Sequence, residues 1–330
     1  MEQGLSSACS SLTQGTANTL SVAIFARDEA ERIGPCLQAL AAAHAHAPAW
    51  PEGLPGVHVT VLLNGSRDDS ERRAAAALIK TGLPGRIYVI GHGDKANAIN
   101  QFLHRLRPPA ETYIFIDGYA AVCADALGLL SRCLAAQPMA HAAAAVPSTG
   151  RSAATVRRNM LAHPGLNGSL FALRGCFVER LVADGLRLPL GLYRGDGLLG
   201  SMVMHDLDAV SGGWLTHRLA IEPRASWQAP QWKPWRWRDV SRHFHRMVRQ
   251  GRSRLEWAAL REIIYRDGFA ALPEDANAMA LDWLARDPAA REPRLWRDPF
   301  AAMALREMRH ATPPAPETLL PRIVLRTPSR

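Results

Sequence analysis

The sequence predicts an α/β fold: a mostly parallel sheet flanked by helices, followed by a helical C-terminal extension. Three observations predict it. Over the first half of the chain, short apolar runs alternate with segments of helical spacing. Polar clusters close those runs, at the carboxyl ends of strands where such sheets bind ligands. After about Ser148 the alternation stops, and the last hundred or so residues read mainly as helix.

The elements follow in order. Leu20–Ala26 (LSVAIFA) reads as a buried strand, and Glu29–Ala43 as a helix with Ile33, Leu37 and Leu40 on one face. His58–Leu63 is a second strand, closed by the turn-forming Asn64-Gly65-Ser66. Asp69–Ile79 has acids in its first turn, as a helix start should. Arg86–Ile90 is a strand, Lys95–Leu106 a helix, Thr112–Ile116 a strand ending at Asp117, and Asp125–Ala136 a helix. Beyond them, Gly168–Leu173 reads as a strand, Leu198–Met204 as a helix and Arg218–Ile221 as a further strand. The extension contains helical patterns at Asp239–Ile264, Asp275–Ala285 and Pro299–His310. The expected divisions are a disordered tail over 1–19, an α/β domain over 20–222, a basic Trp-rich helical extension over 223–312 and a mobile tail over 313–330.

Composition narrows the class. With 330 residues, 48% hydrophobic and 21% charged, the chain is not globally disordered, collagen-like or a disulfide scaffold. Its five cysteines form no CxxC pair, which argues against a zinc cluster and suits a reducing cytoplasm. The first twenty residues lack the basic start and apolar run of a signal peptide, and no window of 18 consecutive apolar residues occurs.

The formal charge of +9 is concentrated. Arg224–Arg261 holds ten Lys or Arg, only two acids, and five of the nine tryptophans. Four readings are open for this stretch: an interfacial membrane anchor, a clamp for a diphosphate or a phosphorylated acceptor, a nucleic-acid surface, or a solvated helix packed by its indoles. Nucleic acid is the least favoured, so no nucleic-acid partner is expected.

Several motifs occur in a recognisable order. SVAIFARDEAERI, VTVLLNGSRDDS, GDKANAIN, YIFIDGYAAV, LNGSLFALR and LPLGLYRGDGLLGSMV each resemble a segment of the family 2 glycosyltransferases. The match lies in their order and spacing over Leu20–Val203. The resemblance implies a GT-A fold, a Rossmann-like nucleotide-diphosphosugar transferase. It also implies an inverting displacement from a nucleotide-sugar donor, a UDP-sugar, onto a saccharide or lipid-linked acceptor in envelope or exported polysaccharide synthesis.

The resemblance assigns roles residue by residue. Asp28 and Glu29 would take the ribose, and Asn64, with Asp68 in the same loop, the base. Lys95 would meet the diphosphate. Asp117 would hold a divalent metal, Mn²⁺ or Mg²⁺. The motif reads Asp117-Gly118-Tyr119, without its second acid, so the metal site rests on Asp117 alone, is completed by Asp94 or a histidine, or is absent. Tyr119 would face the donor sugar and Arg174 the acceptor side. Asp196 would be the catalytic base. Arg246 and Arg249 resemble an Arg-rich segment that follows that acid in many family members.

Each residue also has a purely structural reading, as a cap, turn former or charge neutraliser. Two rival functions are a nucleotidyltransferase and a non-catalytic nucleotide-sugar-binding module. The expected location is cytoplasmic, with possible peripheral contact with an anionic membrane surface.

Overall fold

A computed structural model describes residues 19–50, 53–229, 237–288 and 298–328. The expected N-terminal tail and Trp232 and Trp235 lie outside the described residues. A sheet of nine strands organises the rest. Inside it β1 (Thr19–Ala26) runs parallel to β2 (Gly56–Asn64) on one side and to β4 (Thr112–Asp117) on the other. Helix α1 (Ile33–Ala45) follows β1, and α2 (Ser70–Thr81) follows β2. Next come β3 (Gly85–Ile90) and α3 (Lys95–Gln101), which widens into a π turn over Phe102–Leu106.

β1 is buried on both faces, which explains its unbroken apolar run. Its alternate residues feed two cores. Val22 and Ile24 pack with Ile33, Leu37 and Leu40 of α1. Phe25 faces the other way, stacked 5.9 Å from Phe115 of β4, which is itself stacked 4.7 Å from Phe171 of β7 (Leu170–Arg174). Such pairs add about 0.5–1.5 kcal/mol each beyond their buried area.

The expectation of a mostly parallel sheet is corrected. The order is β5-β8-β6-β7-β4-β1-β2-β3-β9, with β5 (Ala121–Val122), β6 (Ala142–Pro147), β8 (Leu219–Gln228) and β9 (Pro321–Thr327). Four strand pairings are parallel and four antiparallel. The change of direction comes at β7, which runs antiparallel to β4 with Ile116 opposite Leu170. The start of β7 therefore meets the carboxyl end of β4. The segment 313–330, expected to be mobile, contributes β9, which closes the sheet edge against β3.

The remaining helices are α4 (Ala126–Ala136), α5 (Ala153–Ala162), α6 (Gly175–Ala183) and α7 (Gly195–Met204). The extension contributes α8 (Trp237–Asp267), α9 (Ala276–Arg286) and α10 (Pro299–Arg309). Asp275 and Asp298 cap α9 and α10 through amides of their first turns. Leu260, Ile263 and Ile264 of α8 join the same core as Phe25 and Phe115. Among the described residues, no helix is long and apolar enough to cross a membrane.

Candidate functional site

The parallel strands β1, β2 and β4 end on one side of the sheet, at Ala26, Asn64 and Asp117. A cleft of about 2310 Å³ opens there. Asp28, Glu29, Asn64, Lys95, Asp117, Tyr119, Asp196, Arg246 and Arg249 all line it. Residues far apart in sequence are thus brought together by the sheet and by α8.

The chemistry centres on the Gly168 peptide, just before β7. Its N–H donates to Asp196 Oδ2 at 2.9 Å, and its carbonyl accepts from Lys95 Nζ at 3.3 Å. Lys95 is also ion-paired with Asp117. A Cβ on residue 168 would lie 2.9 Å from Lys95 Nζ and 3.2 Å from Asp196 Oδ2, so only glycine leaves both groups where they are. The other Asp196 oxygen accepts from Gly197 N–H at 2.9 Å, in the first turn of α7, where a negative charge is favoured. Burial pushes the Asp117 carboxyl above the usual carboxylate range; Asp196 adds to the push and Lys95 opposes it. Burial also raises Tyr119, whose hydroxyl pairs with Ser169 Oγ at 2.9 Å.

The metal expectation is corrected. Among the described residues, no group of three or more His, Cys, Asp or Glu is placed to hold a metal ion. Asp117 is engaged by an ammonium instead. Asp94, the alternative donor, spends its oxygens on the amides of Ala96 (2.8 Å) and Gly191 (2.7 Å).

Two predicted residues do not reach the cleft. Arg174 lies opposite Thr112, at the far end of β4 from Asp117. Its guanidinium donates to the carbonyls of Leu134, Gln137 and Ala140 around the end of α4, a structural role. Asp68 accepts from the Ala30 and Ser70 amides, both at 3.0 Å, and so staples the loop after β1 to the start of α2. Asp28 completes that staple by accepting from Arg67 N–H at 2.7 Å, held at φ 54. Asn64 donates to the Ala26 carbonyl at 3.1 Å. Glu29 is paired with Arg32 at 3.0 Å.

The structure adds residues the pattern did not yield. Asn167, Gly168 and Ser169 line the cleft. The Asn-Gly-Ser turn before an apolar run was the signal, given an antiparallel strand. Glu256 of α8 is 1% exposed, accepts from Arg252 Nε at 2.5 Å and from Tyr193 N–H at 3.0 Å, and is raised by its burial. Arg249 stacks over the Tyr193 ring at 5.7 Å. Four cysteines among the described residues are free, and burial pushes the Cys36 thiol up to about 12, so it is an inert core group.

The sequence matches no protein-family model and no curated protein. Solved structures do match. The mannosyltransferase PcManGT from Pyrobaculum calidifontis, solved with GDP-Man and Mn²⁺, is similar with a TM-score of 0.56 at 17% identity, over 96% of this chain and 84% of that one. Residues 1–349 of TarS from S. aureus are similar with a TM-score of 0.51 at 13% identity, over 88% of this chain and 80% of that one. What this chain shares with them is the α/β Rossmann-like fold.

Proposed function

We propose that the chain is an inverting glycosyltransferase of the GT-A type. It moves a sugar from a nucleotide-diphosphate donor, a UDP-sugar, to a saccharide or lipid-linked acceptor in envelope or exported polysaccharide synthesis. The supporting observation is the grouping of Asp196, Lys95 and Asp117 around the Gly168 peptide. It sets the Asp196 carboxylate and the Lys95 ammonium on the two sides of one peptide, a base and a cation for a single displacement.

In this reading the nucleoside lies over the ends of β1 and β2. Asn64 uses one of its two amide hydrogens on Ala26 and offers the other to the base. Lys95 has three hydrogens, of which Asp117 and the Gly168 carbonyl take two, leaving one for a phosphate oxygen. Asp196 removes the acceptor hydroxyl proton as that oxygen attacks the anomeric carbon. The bond to the diphosphate breaks on the opposite face, so the configuration inverts. The departing charge meets Lys95, with Arg246 and Arg249 farther along the cleft wall.

The carboxylate is held by two amides, which keep it oriented without occupying every lone pair. Peripheral association with an anionic membrane stays part of the proposal, through the basic character of the extension. The test is Asp196→Asn. UDP binding should persist while turnover falls by about 10²–10⁴-fold, the usual contribution of a general base. Turnover at the parent rate would sink the proposal.

A further inference from the structure

The chain that leads into the Asp196 helix has no regular structure between Leu188 and Tyr193 apart from one bridge, Leu190 to Asp275. Such a segment would ordinarily move, yet side chains from two helices hold its backbone. Asn100 of α3 accepts from Leu188 N–H at 2.9 Å and donates to its carbonyl at 2.8 Å. Asp94 takes Gly191 N–H, and Arg252 of α8 donates to the Gly191 carbonyl at 2.8 Å. Glu256 takes Tyr193 N–H. Asp196 follows three residues later.

Glu256 stands out in this set. A carboxylate removed from water costs several kcal/mol unless it is paired and hydrogen-bonded. Glu256 is fully paired, by Arg252 and by the Tyr193 amide, but does not line the cleft. It therefore touches no substrate. Its two partners both bear on the same loop, because Arg252 reaches Gly191 while it pairs with Glu256. An apolar residue at 256 would leave the Tyr193 amide and the Arg252 guanidinium without this acceptor; a side-chain oxygen there bears on both Gly191 and Tyr193.

We propose that Glu256 is a positioning residue: with Arg252 it locks Gly191 and Tyr193, and through them sets the place of the Asp196 carboxylate. This rests on the assignment of Asp196 as the base. It gives the basic extension a share in the reaction that does not require contact with either substrate. A displacement of about 1 Å at a reacting group can cost about 10²-fold in rate.

The experiment compares E256A, E256Q and E256D in the full chain, measuring kcat and donor KM for a UDP-sugar, UDP affinity by calorimetry, and Tm. E256A should lower kcat by about 10²-fold with donor KM and UDP affinity unchanged. E256Q keeps an acceptor for Tyr193 N–H and should restore most of the turnover. E256D keeps the charge but, one methylene shorter, falls short of Tyr193 and should resemble E256A. A parent kcat in E256A and E256D overturns the proposal, as does a loss carried by KM. Failure of all three variants to fold assigns Glu256 to the fold alone and also overturns it. If Asp196→Asn turns over normally, the functional reading has failed; if that variant is dead and E256A is normal, only this proposal has.

Discussion

Lys95 and Asp117 form an ion pair at the floor of the cleft, joining the start of α3 to the end of β4. Lys95 is 37% exposed and Asp117 15%, so the cation faces the opening and the carboxylate lies behind it. That arrangement presents an ammonium, backed by a carboxylate, to whatever enters.

Lys95→Met should therefore weaken UDP binding. A hydrogen bond to a charged group contributes about 1.5–3 kcal/mol, or roughly 10–100-fold in Kd. Calorimetry with UDP, run with Mn²⁺ and with a chelator, checks this. Because Asp117 is engaged by Lys95 and Asp94 by two amides, the parent protein should bind UDP alike in both buffers. A large loss on chelation would show that metal ligands assemble only around the donor.

Gly168→Ala tests the shared peptide. The added Cβ meets Lys95 Nζ and Asp196 Oδ2, and the end of a lysine moves at little cost. The variant should fold with a Tm close to the parent while kcat falls by at least about tenfold, the two groups having lost their common setting. Steady-state kinetics beside a thermal melt separates the two effects. Parent kinetics would mean that the Gly168 contacts do not persist in the substrate complex.

Much of this site was legible in the sequence where a strand announced its own end. β1, β2 and β4 are apolar runs stopped by Arg27-Asp28, Asn64 and Asp117, and each polar stop lies on the cleft. Strand direction was not legible. Arg174 follows an apolar run just as Asp117 does, but β7 is antiparallel, so Arg174 falls at the opposite edge and Gly168 takes the functional end. β6 was missed because AAAAVP is mostly alanine, with Val146 its one β-branched residue; its place comes from β7 and β8 on either side. Glu256 read as one of two acids inside a basic stretch. Its role depends on meeting Tyr193, 63 positions away, which no local pattern encodes.

Arg246 and Arg249 face the cleft, and Arg249 covers the ring of Tyr193. Changing both to Gln should raise the KM of an anionic substrate by about tenfold or more, since each charge-assisted contact contributes about 1.5–3 kcal/mol. The KM of the parent, not the variant, should rise steeply with salt. Binding to anionic vesicles, measured by co-sedimentation, should change little, because these two side chains line the cleft. A loss of vesicle binding with unchanged kinetics would return the pair to the membrane-anchor reading.

Asp206, remote from the cleft, should govern acid stability. Its carboxyl accepts from His141 and Arg180 at 2.8 Å and from Arg218 at 3.0 Å. Burial alone would raise the acid, but these partners outweigh it and hold Asp206 at about 2, below its ordinary value of 3.8. A carboxyl depressed on folding stabilises the native state above its unfolded value, and that contribution disappears as pH falls from about 4 to 2. Burial likewise lowers His141, so protonating it on the way down in pH also opposes folding. Asp206→Asn should then cost on the order of 2 kcal/mol near pH 7 and progressively less below pH 4, as urea melts across that range would show. A pH-independent difference between the two proteins would mean that the network contributes through packing and neutral hydrogen bonds rather than through its charge.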